Sequence, residues 1–290
     1  MLDSEKRKRW LEFVVFPLLL LPVLIFFSEM MNPIPKGRPD LVSERDAYVA
    51  AALTQPADSI GVAVLGDSEA LVLLSPKMLW EEAGISSYIV AQSGQTPSEA
   101  YHALRDLVKT QSPKLVILET DLLVNDTNER RELIGMFNTA AYDVFPVLRY
   151  HGKWKEMLGL KEPEKIEHYR GFALRTDVVP YTGGEYMQPT EKKTKILRSS
   201  LMYLKRIRQI CEEKGSELLL VSAPAPMNFN YAKHNAIRDY ADRNGLTYLD
   251  LNEKTEELGI DWNKDMLDGG DHVNVNGTEK ITRYLMEYLK

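Results

Sequence analysis

Two short polar signals, one near each end of the folded part of the chain, have residue types that could carry out acyl transfer. One is Gly66-Asp67-Ser68, which follows the apolar run at 60–65. The other is His272, which lies 204 positions after Ser68 (272 − 68) and is preceded by Asp268 and Asp271. A serine hydroxyl becomes nucleophilic when an imidazole takes its proton and a carboxylate orients the imidazole. We therefore predict Ser68 as a nucleophile and His272 as its base, provided that the fold brings Oγ within about 2.6–3.5 Å of the ring.

The carboxylate that orients His272 has two candidates. Asp268 lies four positions before the histidine and Asp271 directly before it. Adjacent side chains on an extended segment point to opposite sides, which favours Asp268. The glycines at 269 and 270 would let the loop fold back far enough for that contact. Asp271 remains the second candidate.

Short apolar runs alternate with helical patterns from residue 60 onward, and these runs are the predicted strands. They are continuously apolar, as strands buried on both faces are. Strand–helix alternation predicts an α/β fold with a central parallel sheet and helices on both faces. The predicted strands are Gly61–Leu65, Tyr88–Ala91, Leu115–Glu119, Glu217–Ser222 and Leu246–Leu249.

Capping residues mark the ends of several predicted helices. One begins at Ser75-Pro76 and stops at Gly84. Thr96-Pro97-Ser98-Glu99 is a capping-box pattern at the start of another. We expect Asn276 to cap the last helix, with Glu279 at its third position.

The N-terminus has the features of a membrane anchor. Lys6–Arg9 is basic, and the uncharged apolar run Phe13–Phe27 follows it. With Glu12 at the interface the segment is long enough to span a bilayer. No small-residue cleavage site follows the run, which favours an uncleaved anchor over a cleaved signal peptide. We therefore expect residues 1–31 to be a cytoplasmic basic flank and a single-pass anchor in the cell membrane, with the rest of the chain outside the cytoplasm.

The remainder of the chain divides into two parts. Residues 32–59 are rich in proline and predict a stalk, and residues 60–290 form the α/β domain. An aromatic-rich insertion at about 123–193 is expected beside the carboxyl edge of the sheet, where substrate loops lie in such folds. Within it, His151 and Trp154 are the expected substrate contacts. The insertion is equally compatible with a packing flap that has no ligand role.

Composition excludes several classes of function. The net charge is −6, and residues 1–31 contain four basic and four acidic groups, so the remainder also carries −6. That acidity argues against a nucleic-acid partner. The single cysteine, Cys211, excludes an internal disulfide. The histidines are scattered without paired ligands, so we predict no metal and no cofactor.

Three blocks resemble those of the SGNH/GDSL hydrolases, from about Ile60 to the C-terminus. They are Gly66-Asp67-Ser68, Ser93-Gly94-Gln95 and the aspartate-rich block before His272-Val273-Asn274. The resemblance implies a flavodoxin-like three-layer α/β/α domain, here preceded by one transmembrane helix. It also implies that the backbone N–H of Gly94 donates to the oxyanion, beside that of Ser68.

The family's asparagine after the third strand has no clean counterpart. The corresponding stretch begins Glu119-Thr120-Asp121, and the two substitutes are Asn125 and the Thr120 hydroxyl. Losing one oxyanion donor typically costs about 10²–10³ in rate, so a slow enzyme is expected if neither substitutes.

The anchored layout is similar to a bacterial subgroup that resembles the teichoic-acid D-alanine-transfer protein and the alginate O-acetylation proteins. This resemblance implies an extracytoplasmic serine acyltransferase or esterase acting on O-acyl groups of cell-wall or exported glycans. Its implied partner is a multi-spanning membrane O-acyltransferase. Two alternatives stay open: a simple carbohydrate or lipid esterase, and a non-catalytic glycan-binding scaffold.

Overall fold

Five short strands form one parallel sheet at the centre of the domain. The computed structural model describes residues 4–125 and 129–289. The strand order is β2-β1-β3-β4-β5, and every neighbouring pair is parallel. The strands are β1 (Val62–Leu65), β2 (Ser87–Ile89), β3 (Leu115–Glu119), β4 (Glu217–Ser222) and β5 (Thr247–Asp250).

The helices connect the strands and cover the sheet. Those of the described residues are α1 (Ser4–Met31), α2 (Ala47–Leu53), α3 (Pro76–Ala83), α4 (Pro97–Leu107), α5 (Asp121–Val124), α6 (Glu129–Val144), α7 (Val147–Tyr150), α8 (Trp154–Met157), α9 (Arg198–Lys214), α10 (Tyr231–Asn244) and α11 (Val275–Tyr288).

Alternate residues of β1 enter two separate hydrophobic cores. Ala63 and Leu65 pack in one core with side chains of α4, α9 and α10. Val62 and Val64 pack on the other face with side chains of α3 and α11. All four β1 residues are buried, which explains why the run is continuously apolar rather than alternating. The predicted α/β class, a three-layer domain with a central parallel sheet, is confirmed.

The last helix begins two residues earlier than predicted. Its N-cap is Asn274, not Asn276, because the Asn274 side chain accepts hydrogen bonds from the backbone N–H groups of Asn276 and Gly277. The Asn274 amide also donates to the carbonyl of Lys264 at 2.7 Å. This asparagine therefore fixes both the start of α11 and the loop that carries His272.

Residues 32–59 differ from the stalk that their prolines predict. Short 3₁₀ turns precede α2, and α2 itself is buried. Val49 and Ala52 pack in the core that contains α4, and Tyr48 packs on the opposite side. Small and apolar residues at 47–53 make this possible, and the prolines lie outside the helix.

The N-terminal helix α1 is long and apolar enough to cross a membrane by length and composition. Pro17 and Pro22 lie within it. Its side chains are largely exposed, but Ser28 and Met31 at its C-terminal end are buried. The side chains of the predicted basic flank before Arg9 lie outside the described residues.

We predict that Gly66→Ala destabilises the domain by about 3 kcal/mol. The φ of Gly66 is +152°, and a Cβ there would lie 2.6 Å from Cβ of Ala70 and 2.7 Å from Cβ of Glu119. Urea unfolding of the full chain in detergent measures the change.

The matched control is Gly84→Ala. Gly84 also has a positive φ of +67°, but nothing lies within 4 Å of its added Cβ. It should therefore cost only about 1 kcal/mol of backbone strain. Equal losses in the two variants would show that the close approach at Gly66 is unimportant.

Candidate active site

Ser68 lies in the loop that leaves the carboxyl end of β1. Strand β1 lies between β2 and β3, so this loop leaves an inner strand of the sheet rather than an edge strand. Ser68 is partly buried, and its hydroxyl donates to Oε2 of Glu69 at 3.2 Å. The nucleophile predicted from the sequence is thus held by its own neighbour.

His272 is oriented through two contacts with Asp268. The imidazole Nδ1 lies 2.7 Å from Asp268 Oδ2, and the backbone N–H of His272 donates to Asp268 Oδ1 at 2.8 Å. Gly269 and Gly270 have φ values of +85° and +117°, a conformation that lets the loop fold back. The other oxygen of the carboxyl group is therefore used to hold the loop.

Asp271 lies farther from the imidazole and faces another partner. Its Oδ2 is 3.4 Å from His272 Nδ1, while its Oδ1 accepts a hydrogen bond from the side-chain amide of Asn228. Burial raises the pKa of Asp271, and the charge of His272 only partly opposes that effect. Of the two candidates, Asp268 has the geometry of an orienting carboxylate.

The direct hydrogen bond expected between Ser68 and His272 is not made. Nε2 of His272 is buried and has no hydrogen-bond partner among the described residues. A carboxylate oxygen of Glu69 lies within 4.8 Å of a ring nitrogen of His272. Glu69 therefore contacts the serine and lies close to the histidine. Its carboxylate is a strong acceptor for the serine hydroxyl.

Glu69 belongs to a cluster of buried carboxyl groups that sequence reasoning missed. Asp67, Glu69 and Glu119 are at most 3% exposed, and one carboxyl oxygen of each lies within 4.8 Å of the others. Asp121, one residue past Thr120, is 7% exposed. The signal was present in the sequence. Asp67 and Glu69 follow β1, Glu119 ends β3, and these two strands are neighbours in the sheet.

Burial is the main cause of the raised pKa values of the carboxyl groups in this cluster. It raises the pKa of Asp67 and of Glu119 well above their usual range, and the charge of Glu69 adds to the effect in both. For Asp121, burial and the charge of Glu69 raise the pKa to about 7, although Lys233 opposes them. The fold therefore favours the protonated forms of these carboxyl groups.

The same oxygens have the spacing of ligands for a hard divalent cation. Protons supply the neutralising charge equally well, since the pKa values of Asp67 and Glu119 are raised, so the cluster does not by itself require an ion. The groups of possible ligands among the described residues are Asp67 with Glu69 and Glu119, Glu69 with Asp271 and His272, and His234 with Asp250 and Glu253.

The surroundings of His272 make it a stronger base. Burial alone would lower its pKa, but the charge of Glu69, the hydrogen bond that Nδ1 donates to Asp268 and the charge of Asp271 outweigh burial and raise the pKa above its ordinary value. With Nδ1 bonded to Asp268, Nε2 is the nitrogen available to take a proton.

The Ser93-Gly94 turn, predicted to carry an oxyanion donor, is held from the segment that was expected to be a stalk. The Arg45 guanidinium donates to the carbonyls of Ser93 at 3.0 Å and Gly94 at 3.2 Å, and pairs with Glu99 at 2.8 Å. The fully buried Gln95 accepts a hydrogen bond from the backbone N–H of Gly66 at 3.4 Å. The turn is thus attached to the serine loop.

The two substitutes for the missing asparagine have different positions. The hydroxyl of Thr120 is buried and bonded to the hydroxyl of Ser222 on β4, so it is committed inside the sheet. Asn125 follows α5 and lines a cavity of about 560 Å³ that Gly94 also lines. Asn125 and Gly94 therefore share one cavity, whereas Thr120 is an unsuitable donor.

His151 and Trp154, the predicted substrate contacts, lie in the α7–α8 segment. His151 Nδ1 is 3.1 Å from the carbonyl of Leu148, and Lys155 lies 5.5 Å from the Trp154 ring. Both side chains are exposed, and these contacts stay within the segment.

The sheet order β2-β1-β3-β4-β5, with Ser68 after β1 and His272 before α11, defines a protein with a flavodoxin-like, doubly wound α/β fold. The chain is similar to the psychrotrophic esterase EstA from Pseudoalteromonas sp., with 15% identity and a TM-score of 0.44, covering 80% of this chain and 97% of that one. It is also similar to a GDSL-like lipase from Bacteroides thetaiotaomicron, with 13% identity and a TM-score of 0.38, covering 79% and 88%.

A third similar structure is TesA, with 14% identity and a TM-score of 0.40, covering 79% of this chain and 97% of that one. No family model and no curated protein matches the sequence. These likenesses are too distant to assign an activity, and the fold class rests on the order and direction of the strands.

We predict that Asp67→Asn flattens the dependence of stability on pH. Because the pKa of Asp67 is raised in the folded state, its contribution is complete below the ordinary value of 3.8 and is lost as pH rises through the higher folded pKa. Each such group steepens the fall by up to about 1.4 kcal/mol per pH unit. Urea unfolding between about pH 5 and 8 measures the slope.

Asp143→Asn is the control. The hydrogen bond from Arg105 lowers the pKa of Asp143, so its stabilisation is present above the ordinary value and is lost only at acidic pH. Removing this carboxylate should leave the slope of stability against pH unchanged between about pH 5 and 8. An unchanged slope in Asp67→Asn would contradict the proton-holding cluster.

Proposed function

We propose that this protein is a membrane-anchored serine esterase or acyltransferase that forms an acyl-enzyme on Ser68. The observation that carries the proposal is the His272–Asp268 contact of 2.7 Å at the same sheet edge as Ser68, with Glu69 close to both the serine and the histidine. A serine, an oriented imidazole and a carboxylate in one place are the parts that acyl transfer uses on unrelated folds.

In the proposed reaction, Ser68 Oγ attacks the ester carbonyl carbon while Nε2 of His272 takes the hydroxyl proton. The backbone N–H groups of Ser68 and Gly94 stabilise the resulting oxyanion. Collapse of this intermediate breaks the bond to the alcohol, which leaves with the proton from His272. Water or a glycan hydroxyl then attacks the acyl-serine, with His272 acting again as base, and regenerates the free hydroxyl.

Glu69 sets a condition on the first step. In the structure the Ser68 hydroxyl donates to Glu69, and Nε2 of His272 has no partner among the described residues. The hydroxyl must therefore rotate from Glu69 towards His272 before it can be deprotonated. A bound ester, which occupies the space above Ser68, favours that rotation.

The acceptor and the location follow from the resemblance and from α1. Helix α1 anchors the domain outside the cytoplasm, and O-acyl groups of cell-wall or exported glycans are the proposed substrates. The proposed partner is a multi-spanning membrane O-acyltransferase that supplies or receives the acyl group. Transfer and hydrolysis differ only in whether a sugar hydroxyl or water resolves the acyl-serine.

The second candidate is a non-catalytic glycan-binding scaffold. The bond between Ser68 and Glu69 favours it, because a hydroxyl held by a carboxylate away from its base is not poised for attack. The same labelling experiment separates the two functions.

We predict that a fluorophosphonate probe labels the full-length chain at Ser68. The probe needs a nucleophilic serine and forms a stable adduct without turnover. Labelling in detergent, read by fluorescence after electrophoresis and mapped by mass spectrometry, should be lost in Ser68→Ala and strongly reduced in His272→Ala.

Ser112→Ala is the control for nonspecific labelling, since Ser112 is exposed and precedes β3, at the other end of the sheet from the site. It should label like the unaltered chain. A chain that folds normally but shows no labelling at Ser68 would leave only the scaffold function.

The orienting carboxylate gives a further prediction. Asp268→Asn should reduce kcat/KM on an activated acetate ester by about 10⁴-fold, whereas Asp271→Asn should cost less than about tenfold. The raised pKa of His272 predicts that activity falls as pH drops through a midpoint above 6.5, since only the neutral imidazole accepts the proton. Asp268→Asn should move that midpoint to lower pH, because it removes a cause of the rise. Larger losses in Asp271→Asn would reverse the assignment.

A further inference from the structure

Helix α6 has a stripe of exposed apolar side chains. Leu133, Phe137 and Val144 are 60%, 75% and 65% exposed, and their spacing places them on one face of the helix. Leu148 of α7 and Trp154 of α8 are the next large apolar side chains along the chain that are exposed, by 39% and 46%. We call these residues, together with Leu158, which is 64% exposed, the apolar ridge.

The opposite side of α6 faces the domain. Glu132 and Thr139 are buried, and α6 contacts α4 and α9. The helix is thus already packed on one side, and the apolar ridge is its outer face. Apolar side chains at this density on an outer face mark a surface that is covered in use.

The apolar ridge begins where α1 leaves its apolar run. The run ends at Phe27, and the next residue, Ser28, accepts a hydrogen bond from the backbone N–H of Val147 at 3.3 Å. Val147 lies directly before Leu148 of the apolar ridge. If α1 spans a bilayer, the end of its apolar run lies at the membrane surface, and α7 must lie there too.

The residues around the apolar ridge suit a lipid interface. Trp154 is half exposed and has Lys155 beside its ring at 5.5 Å. Lys153 directly precedes Trp154, and Lys161 follows seven positions after it. Aromatic rings and lysines collect at the boundary between headgroups and acyl chains, where the ring is partly buried and the ammonium stays in water.

We propose that the apolar ridge is a membrane-docking surface that lies in the outer boundary of the bilayer that α1 spans. The proposal rests on the anchoring role of α1 that is part of the proposed function. The occupant is lipid rather than protein, because the apolar ridge is continuous with the end of the lipid-spanning segment. It adds a second attachment to the single helix and fixes the height of the domain above the membrane.

Single cysteines on the full-length chain test this placement. Cys211 is buried and burial raises its pKa to about 12, so it does not compete for a thiol-reactive probe. Phe137→Cys and Leu158→Cys, each labelled with an environment-sensitive fluorophore, are reconstituted in vesicles of phosphatidylcholine and phosphatidylglycerol. We expect a blue-shifted emission and a loss of intensity when lipids carrying a quencher at the upper acyl chain are included.

Trp80→Cys is the matched control, since Trp80 is 54% exposed on α3, which packs on the opposite face of the sheet. Its probe should show a water-like emission and no quenching. Leu20→Cys, within α1, reports whether the anchor is in the bilayer.

Each outcome decides the proposal. Quenching at positions 20, 137 and 158 but not at 80 supports it. Quenching at 20 alone overturns the apolar ridge and leaves the anchor in place, whereas no quenching at 20 overturns both. A blue shift at 137 and 158 without lipid quenching, which fades when the protein is diluted among vesicles, would identify a second copy as the occupant and overturn the lipid proposal.

Discussion

The contact between Gly66 and Glu119 is the constraint on which the site depends. No side chain fits at position 66, because the backbone of β1 turns against Cβ of Glu119 there. That close approach aligns the ends of β1 and β3 and gathers Asp67, Glu69 and Glu119 in a dry space. Buried carboxyl groups at this spacing cannot all ionise, so the fold favours their neutral, protonated forms. Ser68 therefore lies against a group of acids whose ionisation the fold disfavours.

These acids have two opposite effects on the chemistry proposed for Ser68 and His272. Negative charge at Glu69 raises the pKa of the imidazole, which makes it a better base. The same carboxylate accepts the serine hydroxyl and keeps it from that base. The site thus balances the basicity of His272 against the freedom of the Ser68 hydroxyl.

Much of the fold could be predicted because its signals are local. The buried strands are continuous apolar runs, and β3 and β4 have the predicted bounds, Leu115–Glu119 and Glu217–Ser222. The fold-back at Asp268 was suggested by the glycines after it. The contacts that the sequence did not reveal join distant residues: Arg45 reaches Gly94 across 49 positions. Such contacts depend on tertiary packing, and no periodicity records them.

The segment before the sheet also connects the end of α1 to the candidate site through a chain of contacts. Arg149 of α7 pairs with Asp46, which accepts a second hydrogen bond from Gln92 at 2.7 Å. Arg45, the next residue in the chain, holds the carbonyls of the Ser93-Gly94 turn. Asp46 is 8% exposed and Arg149 is partly buried, so this pair and its hydrogen bonds link the two segments. The turn proposed to stabilise the oxyanion is therefore held from the α7 segment, which packs on the C-terminal end of α1, and the position of that end constrains the geometry of the site.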